Sequence, residues 1–480
     1  MSQLQTGRVP GSPILRVRPA PATAVVVAYI TAMFMSGVDM NIVNVALPTL
    51  SHQFSASLSE AQWTAISYLL ALAVLIPASG WIGDRVGVKQ TFVFALALFT
   101  LASAACGMVN SLPALIAARA IQGIGGGMMT PSGTSMLYRT FPPARRAHVA
   151  RMIIVPILIG PGLAPILGGA LIEWLSWRWI FLINVPIGAT MVVFAWRFLP
   201  RTAPISSGRL DIGGMALSGV GLSSLLYAIS EGSALGWTST AVLLSAIAGV
   251  VLLAAFTHRA LHHHDPILRI RLLSNRVFRA TNIVFALTTG PFLGSLYLTP
   301  IFLQEVMHQS PIGSGTTTFL EAVGVGLGSQ SLARLYPRFG PRVLAAASSA
   351  GLAIYLGAFL LVQPGTSLWL VRALMLFGGF ANSGTFLAVQ TAMFTTISKA
   401  DTGHASAIYN TQRQSTIAFN VAILTTIAAG STAGSLTAFH SAYLAATVIV
   451  VIGIVAALTL IHTSDARATM RTKPGTAIAD

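Results

Sequence analysis

Two carboxyl groups stand apart from the other acidic side chains because they fall well inside long apolar stretches. Asp39 lies nine residues before Pro48, and Glu321 lies within the apolar segment 312–333. A charge at the centre of a membrane helix costs at least ~2.5–3.5 kcal/mol, so such residues normally face a protein interior or a water-filled cavity. These two groups are therefore the first candidates for binding a proton or a cation.

Arginine is also found inside apolar stretches, at Arg119, Arg372 and Arg413. Asp39 is expected about 13 Å from the end of its helix, and Arg119 enters from the same side at a comparable depth. Burial disfavours a charged carboxyl group whereas a nearby arginine favours it, so this pair is either purely structural or a site of reversible protonation. Arg372 and Arg413 either extend their charged ends to the membrane surface or contact an anionic substrate.

Glu321 has apolar residues and glycines as its neighbours in the sequence. About ten residues into its helix, it is expected at a depth of ~15 Å, near the middle of a bilayer. A lone carboxylate there would attract a lipophilic cation, or a proton when the cation leaves, and competition for one charge would produce exchange. The alternative is a protonated acid that is hydrogen-bonded to a neighbouring helix.

The composition indicates that lipid surrounds most of the elements that carry these residues. Of 480 residues, 54% are hydrophobic and 8% charged, whereas soluble proteins carry about 25% charged residues. The net charge of +16 would suggest nucleic acid as a partner of a soluble protein. Here the arginines cluster between apolar stretches, which is typical of the inner rim of a membrane protein. The single cysteine, Cys106, cannot form an intrachain disulfide and is expected to be a small packing residue.

Stretches of roughly 20 apolar residues predict membrane-spanning helices, and this sequence has fourteen of them. If the N-terminus is cytoplasmic, all but four of the 28 lysines and arginines lie in the terminal segments or in inside loops, as the positive-inside rule requires. Both termini are therefore expected in the cytoplasm. The expected spans are 22–48, 62–82, 90–109, 112–137, 151–172, 179–199, 211–230, 239–257, 280–304, 312–333, 342–362, 367–395, 404–430 and 441–462.

A twelve-helix alternative would make 200–279 one long cytoplasmic loop, because the seventh and eighth spans are expected to be the least apolar. A repeat favours fourteen: Arg85-Val-Gly-Val-Lys after span 2 recurs as Arg338-Phe-Gly-Pro-Arg after span 10. Matching loops eight spans apart indicate two six-helix halves with an inserted helix pair, and related halves are characteristic of secondary transporters. The expected divisions are a cytoplasmic segment 1–21, a six-helix bundle 22–200, an inserted pair and linker 201–279, a six-helix bundle 280–462 and a cytoplasmic tail 463–480.

The loop between spans 2 and 3 reads Gly80-Trp-Ile-Gly-Asp84-Arg85-Val-Gly87-Val-Lys89. This segment resembles the signature motif of the major facilitator superfamily. The resemblance implies an all-α major facilitator fold in which the acid of this loop holds the two halves together. The gating residues implied by this motif are Asp84, Arg85, Gly87 and Lys89.

Four further segments resemble drug–proton antiporters of the EmrB/QacA-type fourteen-helix family. They read Asp39-Met-Asn-Ile-Val-Asn-Val-Ala-Leu-Pro48, Arg119-Ala-Ile-Gln-Gly-Ile-Gly125, Gly160-Pro-Gly-Leu-Ala-Pro-Ile-Leu-Gly-Gly169 and Trp177-Arg-Trp-Ile-Phe-Leu-Ile-Asn-Val-Pro-Ile-Gly188. The third segment implies gating roles for Gly160, Pro161, Pro165, Gly168 and Gly169. The first two segments and the intramembrane acid of span 10 together provide the candidates for proton coupling or substrate binding. These are Asp39, Arg119, Glu321, Asn44 and Gln122.

These features predict a proton-coupled antiporter of the cell membrane that exports hydrophobic or cationic drugs or amphipathic metabolites by alternating access. A dedicated exporter of one natural product would share the motifs. A non-transporting receptor or scaffold is disfavoured, because it need not keep charges inside the membrane. An enzyme, a cofactor and a bound metal are not expected, and the histidine cluster at 258–265 is interpreted as a solvated loop. The expected partners are the bilayer, protons, a small-molecule substrate and, in a cell with an outer membrane, a periplasmic adaptor, but no nucleic acid.

Overall fold

The computed structural model describes residues 21–141, 163–200, 211–264, 266–394, 396–397, 401–429 and 435–462. Within these ranges the secondary structure consists of helices and turns, and no strand occurs there. The expected all-α class is therefore confirmed for the described part of the chain.

The helices are numbered α1 to α15 in chain order. α6 and α7 follow each other directly and form one apolar segment, Trp179–Phe198. Two short 3-10 helices, Ile270–Ser274 and Phe359–Leu361, precede α10 and follow α12. The helices are α1 Pro21–Gln53, α2 Leu58–Val86, α3 Val88–Met108, α4 Leu112–Thr140, α5 Leu163–Trp174, α6 Trp179–Leu182, α7 Asn184–Phe198, α8 Ile212–Leu235, α9 Thr240–His262, α10 Arg276–Glu305, α11 Pro311–Ala333, α12 Tyr336–Ala358, α13 Leu368–Met393, α14 Thr402–Ala428 and α15 Leu436–Leu460.

Ten segments of the described chain are long and apolar enough to cross a membrane. α4, α11 and α14 have sufficient length, with 29, 23 and 27 residues, but are not among these ten. α8 and α9 are among them, and only α15 is more apolar than α9. The expectation that this pair would be the least apolar was therefore wrong, because α9 has charged residues only near its end. Residues 212–262 form two apolar helices rather than one long loop.

The ends of the helices differ from the predicted spans by several residues. α1 continues through Pro48 to Gln53, so Asp39 lies fourteen residues, or about 21 Å, from that end rather than the predicted ~13 Å. α2 begins earlier than predicted because Ser57 and Glu60 form a capping box, in which each side chain accepts a hydrogen bond from the other residue's backbone N–H. Such a cap satisfies two amides that a helix start leaves unpaired.

The repeated Arg-x-Gly-x-basic pattern corresponds to two similar backbone turns. Gly87 separates α2 from α3 with φ of 103°, and Gly340 interrupts α12 near its start with φ of 72°. Glycine is the residue that adopts positive φ without a steric cost. The glycine of the repeat is therefore required by the same sharp change of chain direction in both places.

The helices form two groups that meet where α2 packs against α14 and where α1 packs against α10. In the first group α4 packs against α1, α2 and α3, while α3 also contacts α7. In the second, α13 packs against α11 and α12, while α10 contacts α14 and α15. α8 and α9 pack on each other, and α8 touches both α2 and α14. The α8–α9 pair therefore bridges one helix of each group.

Several side chains join the two groups near the end of the molecule at which α1 terminates, here called the Gln53 end. His52 Nε2 lies 3.2 Å from Glu305 Oε1. Gln304 Nε2 donates to the Val45 carbonyl at 3.0 Å, and the Ile312 amide donates to a Glu173 carboxylate oxygen at 3.3 Å. The two groups are thus in contact at this end.

Candidate functional site

Asp39 lies at the centre of a buried hydrogen-bond network in the first helix group. Arg119 Nη1 donates to Asp39 Oδ2 at 2.6 Å. Oδ1 accepts from Gln122 Nε2 at 2.8 Å and from Asn184 Nδ2 at 3.0 Å. All four side chains are at most 2% exposed. Three donors, one of them charged, hold the carboxylate in place, and charge-assisted bonds of this kind are the stronger ones.

The remaining donors and acceptors of this network come from neighbouring helices. Arg119 Nε donates to the Thr64 carbonyl of α2 at 3.0 Å, and its guanidinium lies 4.2 Å from the centre of the Tyr68 ring. Ser103 of α3 accepts from Gln122 at 3.0 Å and itself donates to the Phe181 carbonyl of α6 at 2.9 Å. The network therefore links α1, α2, α3, α4, α6 and α7, so the charge state of Asp39 affects the packing of all of them.

The predicted candidates are only partly brought together here. Asp39, Arg119 and Gln122 are in direct contact. Asn44 is buried on the same helix, but its Oδ1 has no hydrogen-bond partner among the described residues. Glu321 belongs to the second helix group.

Sequence reasoning missed Asn184 and Ser103 as members of this network. Asn184 lies in the segment 177–188 that was used for the family resemblance, and an amide within such an apolar run is itself a signal. Ser103 gave no such signal, because serine is common in helix interiors that satisfy it through their own carbonyl groups. Only the tertiary structure shows that its hydroxyl is placed between α4 and α7.

Glu321 of α11 is as deeply buried as Asp39 but has very different neighbours. It is 3% exposed, and its hydrogen bond comes from the Tyr355 hydroxyl of α12, at 3.5 Å from Oε1. None of the ion pairs in the described part of the chain involves Glu321. A buried carboxyl group without a cation can gain one from a ligand, or a proton from water.

Aromatic rings surround the Tyr355 side of this acid. Tyr355 is 6.3 Å from Phe292 and 5.5 Å from Phe359, measured between ring centres. Phe359 stacks on Tyr443 of α15 at 4.4 Å, and Phe302 of α10 contacts both of these rings. An organic cation is attracted by aromatic faces as well as by a carboxylate, so the surroundings of Glu321 suit a lipophilic cation.

The two other intramembrane arginines have different settings. Arg372 lies over the ring of Trp369 at 4.7 Å, and Trp369 is 73% exposed, which favours a position at the membrane surface. Arg413 of α14 is half-buried, and its Nε has no hydrogen-bond partner among the described residues. Arg413 therefore remains a candidate for contact with a substrate, whereas such a contact is disfavoured for Arg372.

Four of the predicted gating residues lie where α2 passes into α3: Asp84 and Arg85 are in the last turn of α2, Gly87 separates the helices, and Lys89 is in the first turn of α3. Arg85 is exposed beside the Trp81 ring. Lys89 donates to the carbonyl of Leu199 at 2.7 Å, where α7 has just ended. A lysine at this position satisfies a free carbonyl of the helix end and complements its negative dipole. The side chain of Asp84 lies outside the described residues, so its predicted partner is not addressed.

The predicted gating glycines of α5 permit close contacts between helices. A Cβ atom on Gly168 would lie 2.8 Å from Ile42 of α1, and one on Gly169 would lie 2.5 Å from the Pro311 carbonyl oxygen at the start of α11. Gly315 of α11 sits directly against the Pro165 carbonyl group. Small residues allow such backbone approach in membrane helices. Gly160 and Pro161 lie outside the described residues.

Residues 29–420 match the model of the Major Facilitator Superfamily. This chain belongs to the major facilitator superfamily. The predicted superfamily is thereby confirmed, and with it a multi-pass membrane protein of transporter type. The superfamily does not by itself distinguish an antiporter or a fourteen-helix subtype.

Two individual relatives carry the names of multidrug resistance proteins. The chain is 36% identical over 332 residues to a multidrug resistance protein B homolog of Mycobacterium tuberculosis (strain ATCC 25618 / H37Rv), a match that covers 69% of this chain and 62% of the relative. It therefore spans less than two thirds of that relative's length. It is 33% identical over 364 residues to a protein of Serratia proteamaculans (strain 568) whose name includes "multidrug resistance protein MdtD", with 75% of both chains covered.

Solved structures confirm the fold. A crystal structure of a D-xylose-proton symporter superposes with a TM-score of 0.67 over 93% of this chain and 99% of that one, at 15% identity. A partially occluded, inward-open conformation of the xylose transporter XylE from E. coli gives a TM-score of 0.60 over 91% of this chain and 98% of that one, at 14% identity. Identities this low establish the shared fold and carry no information about the substrate.

Proposed function

We propose that this protein exports hydrophobic or cationic compounds in exchange for protons, by alternating access. The observation that carries the proposal is Glu321, a buried carboxyl group that has a hydroxyl and aromatic rings beside it and forms none of the described ion pairs. A lipophilic cation and a proton each neutralise that charge. Because they compete for one group, uptake of a proton releases the cation, and binding of a cation releases the proton.

Asp39 has the complementary role in this proposal. Its carboxylate is held by three donors, so protonation would weaken the ion pair with Arg119. Since this network joins six helices, loss of the pair would loosen the packing of the first helix group. Protonation of Asp39 would thereby change the conformation, while Glu321 exchanges the ligands.

The orientation and the helix count are part of the same proposal. Within the described residues, arginines such as Arg85, Arg259, Arg276 and Arg338 lie at helix ends opposite the Gln53 end, which the positive-inside rule assigns to the cytoplasm. With the less apolar α4, α11 and α14, with α5, and with α6–α7 taken as one span, fourteen segments cross the bilayer. Both chain termini are then cytoplasmic, and contacts at the Gln53 end close the protein toward the outside.

Two relatives named multidrug resistance proteins support export of drugs. The broad specificity that such a name suggests agrees with recognition by one carboxylate and several aromatic rings, because these groups impose little on the shape of a cation.

A transport assay in proteoliposomes tests the proposal. The purified protein is reconstituted with an imposed pH gradient, and movement of tetraphenylphosphonium is measured for the wild type, Asp39→Asn, Glu321→Gln and the double variant. We expect gradient-driven movement in the wild type only. Gradient-driven exchange that survives in the double variant would refute coupling through these acids, and no movement of any lipophilic compound would favour a receptor or scaffold.

A dedicated exporter of one natural product is favoured by a different observation. Asn282 donates to the Phe278 carbonyl at 2.7 Å, and Asn420 to the Thr416 carbonyl at 2.9 Å. Because each amide nitrogen is bound to a backbone oxygen, the Oδ1 atom of each residue points away from that carbonyl group. Neither Oδ1 atom has a hydrogen-bond partner among the described residues. A substrate with N–H or O–H groups would satisfy them. If Asn282→Ala and Asn420→Ala leave transport of tetraphenylphosphonium and of amine-bearing compounds equally unaffected, this alternative is wrong.

A further inference from the structure

A series of hydroxyl groups extends from Glu321 across four helices of the second group. The Tyr355 hydroxyl donates to Glu321 Oε1 at 3.5 Å. The side chains of Ser295 and Thr299 of α10 lie near the same hydroxyl. Thr299 Oγ1 in turn lies 2.9 Å from the Tyr443 hydroxyl of α15. Neighbouring hydroxyl groups can each accept one proton and donate another.

The series leads from the interior toward the Gln53 end. Glu321 is ten residues from the start of α11, whereas Tyr443 is seven residues from the start of α15, or about 10 Å deep. His440 lies one turn nearer to that end on the same face of α15. It is half-buried, and its Nε2 is 3.0 Å from the Val362 carbonyl. An imidazole thus stands between the last hydroxyl and the surface.

Aromatic rings keep water away from these hydroxyls. Phe292, Phe302 and Phe359 are at most 3% exposed, and the rings of Tyr355 and Tyr443 are fully buried between them. Direct access of bulk water to Glu321 from this side is therefore prevented in the observed conformation. A proton that reaches the acid from here must pass through side-chain hydroxyl groups.

Thr299 behaves differently from other buried threonines of these helices. Thr281, Thr288 and Thr425 each donate to the backbone carbonyl four residues earlier in their own helix. Such a bond satisfies the hydroxyl locally and leaves it no role between helices. The partner of Thr299 is instead the Tyr443 hydroxyl, either atom of which can be the donor. A merely structural threonine would not need that partner.

We propose that Tyr443, Thr299 and Tyr355 form a proton relay between the Gln53 end and Glu321. An arriving proton binds the Tyr443 oxygen as the Tyr443 proton moves to Thr299. The proton of Thr299 moves to Tyr355, whose own proton binds a Glu321 oxygen. Each hydroxyl is restored, one hydronium ion becomes water and one carboxylate becomes a carboxylic acid. The relay rests on the proposed role of Glu321 in exchange, and it adds the route by which the proton arrives.

The electrostatic surroundings of Glu321 are compatible with this route. Tyr355 from α12 and Tyr443 from α15 are the titratable groups that interact with it within the described residues. From α13 the backbone at Gly379 lies against the Glu321 carbonyl group. Two of the three relay residues are thus the described titratable groups that interact with the acid.

Substitutions that remove one hydroxyl at a time test the relay. Thr299→Val, Tyr443→Phe and Tyr355→Phe are reconstituted, and the initial rate of proton-driven tetraphenylphosphonium exchange is measured against pH and in deuterated water. We expect the rate to fall by on the order of tenfold or more, with a changed solvent isotope effect and, in Thr299→Val and Tyr443→Phe, unchanged affinity for tetraphenylphosphonium. Thr288→Val is the matched control in the same helix and should leave the rate as it is.

Thr299→Ser distinguishes a relay from a packing role, because serine keeps the hydroxyl but loses the methyl group. Wild-type exchange in Thr299→Ser together with slow exchange in Thr299→Val supports the relay, whereas equal rates in the two overturn it. Wild-type rates in all three hydroxyl-free variants, alongside an inactive Glu321→Gln, overturn the relay alone. Wild-type exchange in Glu321→Gln would instead refute the proposed function, and the relay with it.

Discussion

Asp39 and Glu321 are acids of equal burial in the two helix groups, and they differ in what surrounds the carboxyl group. Asp39 has a guanidinium and two amides as donors. Glu321 has a hydroxyl at 3.5 Å and a set of aromatic rings. The charge of Asp39 is compensated by Arg119 inside the protein. The charge of Glu321 is available to be compensated by a proton or by a bound cation.

The depth of a charged group in the membrane therefore does not reveal its role. A compensated carboxylate holds helices together, so changing it alters packing first and binding second. An uncompensated carboxyl group contributes little to packing and is available to a ligand. Neutralisation of either acid should therefore abolish exchange, whereas a loss of stability is expected at Asp39 only.

The largest expected effect comes from breaking the compensated pair on one side. Arg119→Met leaves Asp39 buried without its cation, and we expect the free energy of unfolding to fall by about 3–5 kcal/mol. Unfolding in detergent micelles measures this. The double variant Asp39→Asn with Arg119→Met removes both charges and should regain part of the loss. A double variant as unstable as Arg119→Met alone would contradict the pairing as the cause.

The second prediction concerns the uncompensated acid. Glu321→Gln keeps the size of the side chain and removes a group that is costly to ionise in this site, so we expect stability to be unchanged or slightly higher. Exchange of tetraphenylphosphonium for protons should nevertheless be lost. If Glu321→Gln unfolds as readily as Asp39→Asn, the contrast between the two acids does not hold.

A third prediction concerns the contact between the two helix groups at the Gln53 end. Gly315→Ala would place a methyl group against the Pro165 carbonyl, and we expect roughly 1–3 kcal/mol of overpacking cost in the closed conformation. Gly326→Ala in the same helix meets no atom within 4 Å and is the matched control. Spin labels on Gln53 and His308 should show a longer distance in Gly315→Ala only. An equal distance in both variants would contradict a closing role for this contact.

The smallest expected effect lies outside the membrane, at Asp211. This acid caps α8 through the Gly214 amide at 2.8 Å and pairs with Arg259 Nε at 2.7 Å. Burial raises the pKa of Asp211, but hydrogen bonds from Gly214 and Arg259 lower it more, so the net pKa is below 3.8. The stabilisation is therefore complete above about pH 4 and is lost as the pH falls through the lower folded-state pKa.

We expect Asp211→Ala to reduce stability by about 1 kcal/mol, as for other helix caps. Asp211→Ser keeps an acceptor for the Gly214 amide but loses the ion pair with Arg259. Its stability should lie between those of the wild type and Asp211→Ala. Hydrogen exchange of the first turn of α8 measures this locally. Full protection in Asp211→Ala would show that the cap is dispensable.

The amino-acid sequence by itself determined the class of the protein and the rare residues that matter. A chain with 8% charged residues can cover itself only with lipid, so the apolar segments and the few charges among them were evident. Asp39, Arg119 and Glu321 stood out because a charge in hydrocarbon is too costly to keep without use. The repeat at Arg85 and Arg338 was recognisable because both places require a glycine with positive φ.

The tertiary structure alone decided which charges are compensated. Asn184 and Ser103 reach Asp39 from other helices, and nothing in their local sequence spacing specifies that meeting. Tyr355 likewise reaches Glu321, and Thr299 reaches Tyr443, only because α11 contacts α12 and α10 contacts α15. Helix periodicity is set by neighbours along the chain, whereas contacts between helices depend on residues far apart in it. The sequence placed Arg119 at a depth comparable to that of Asp39 and left Glu321 as a lone carboxylate, but only the packing of the helices shows the ion pair itself and the hydroxyl that contacts Glu321.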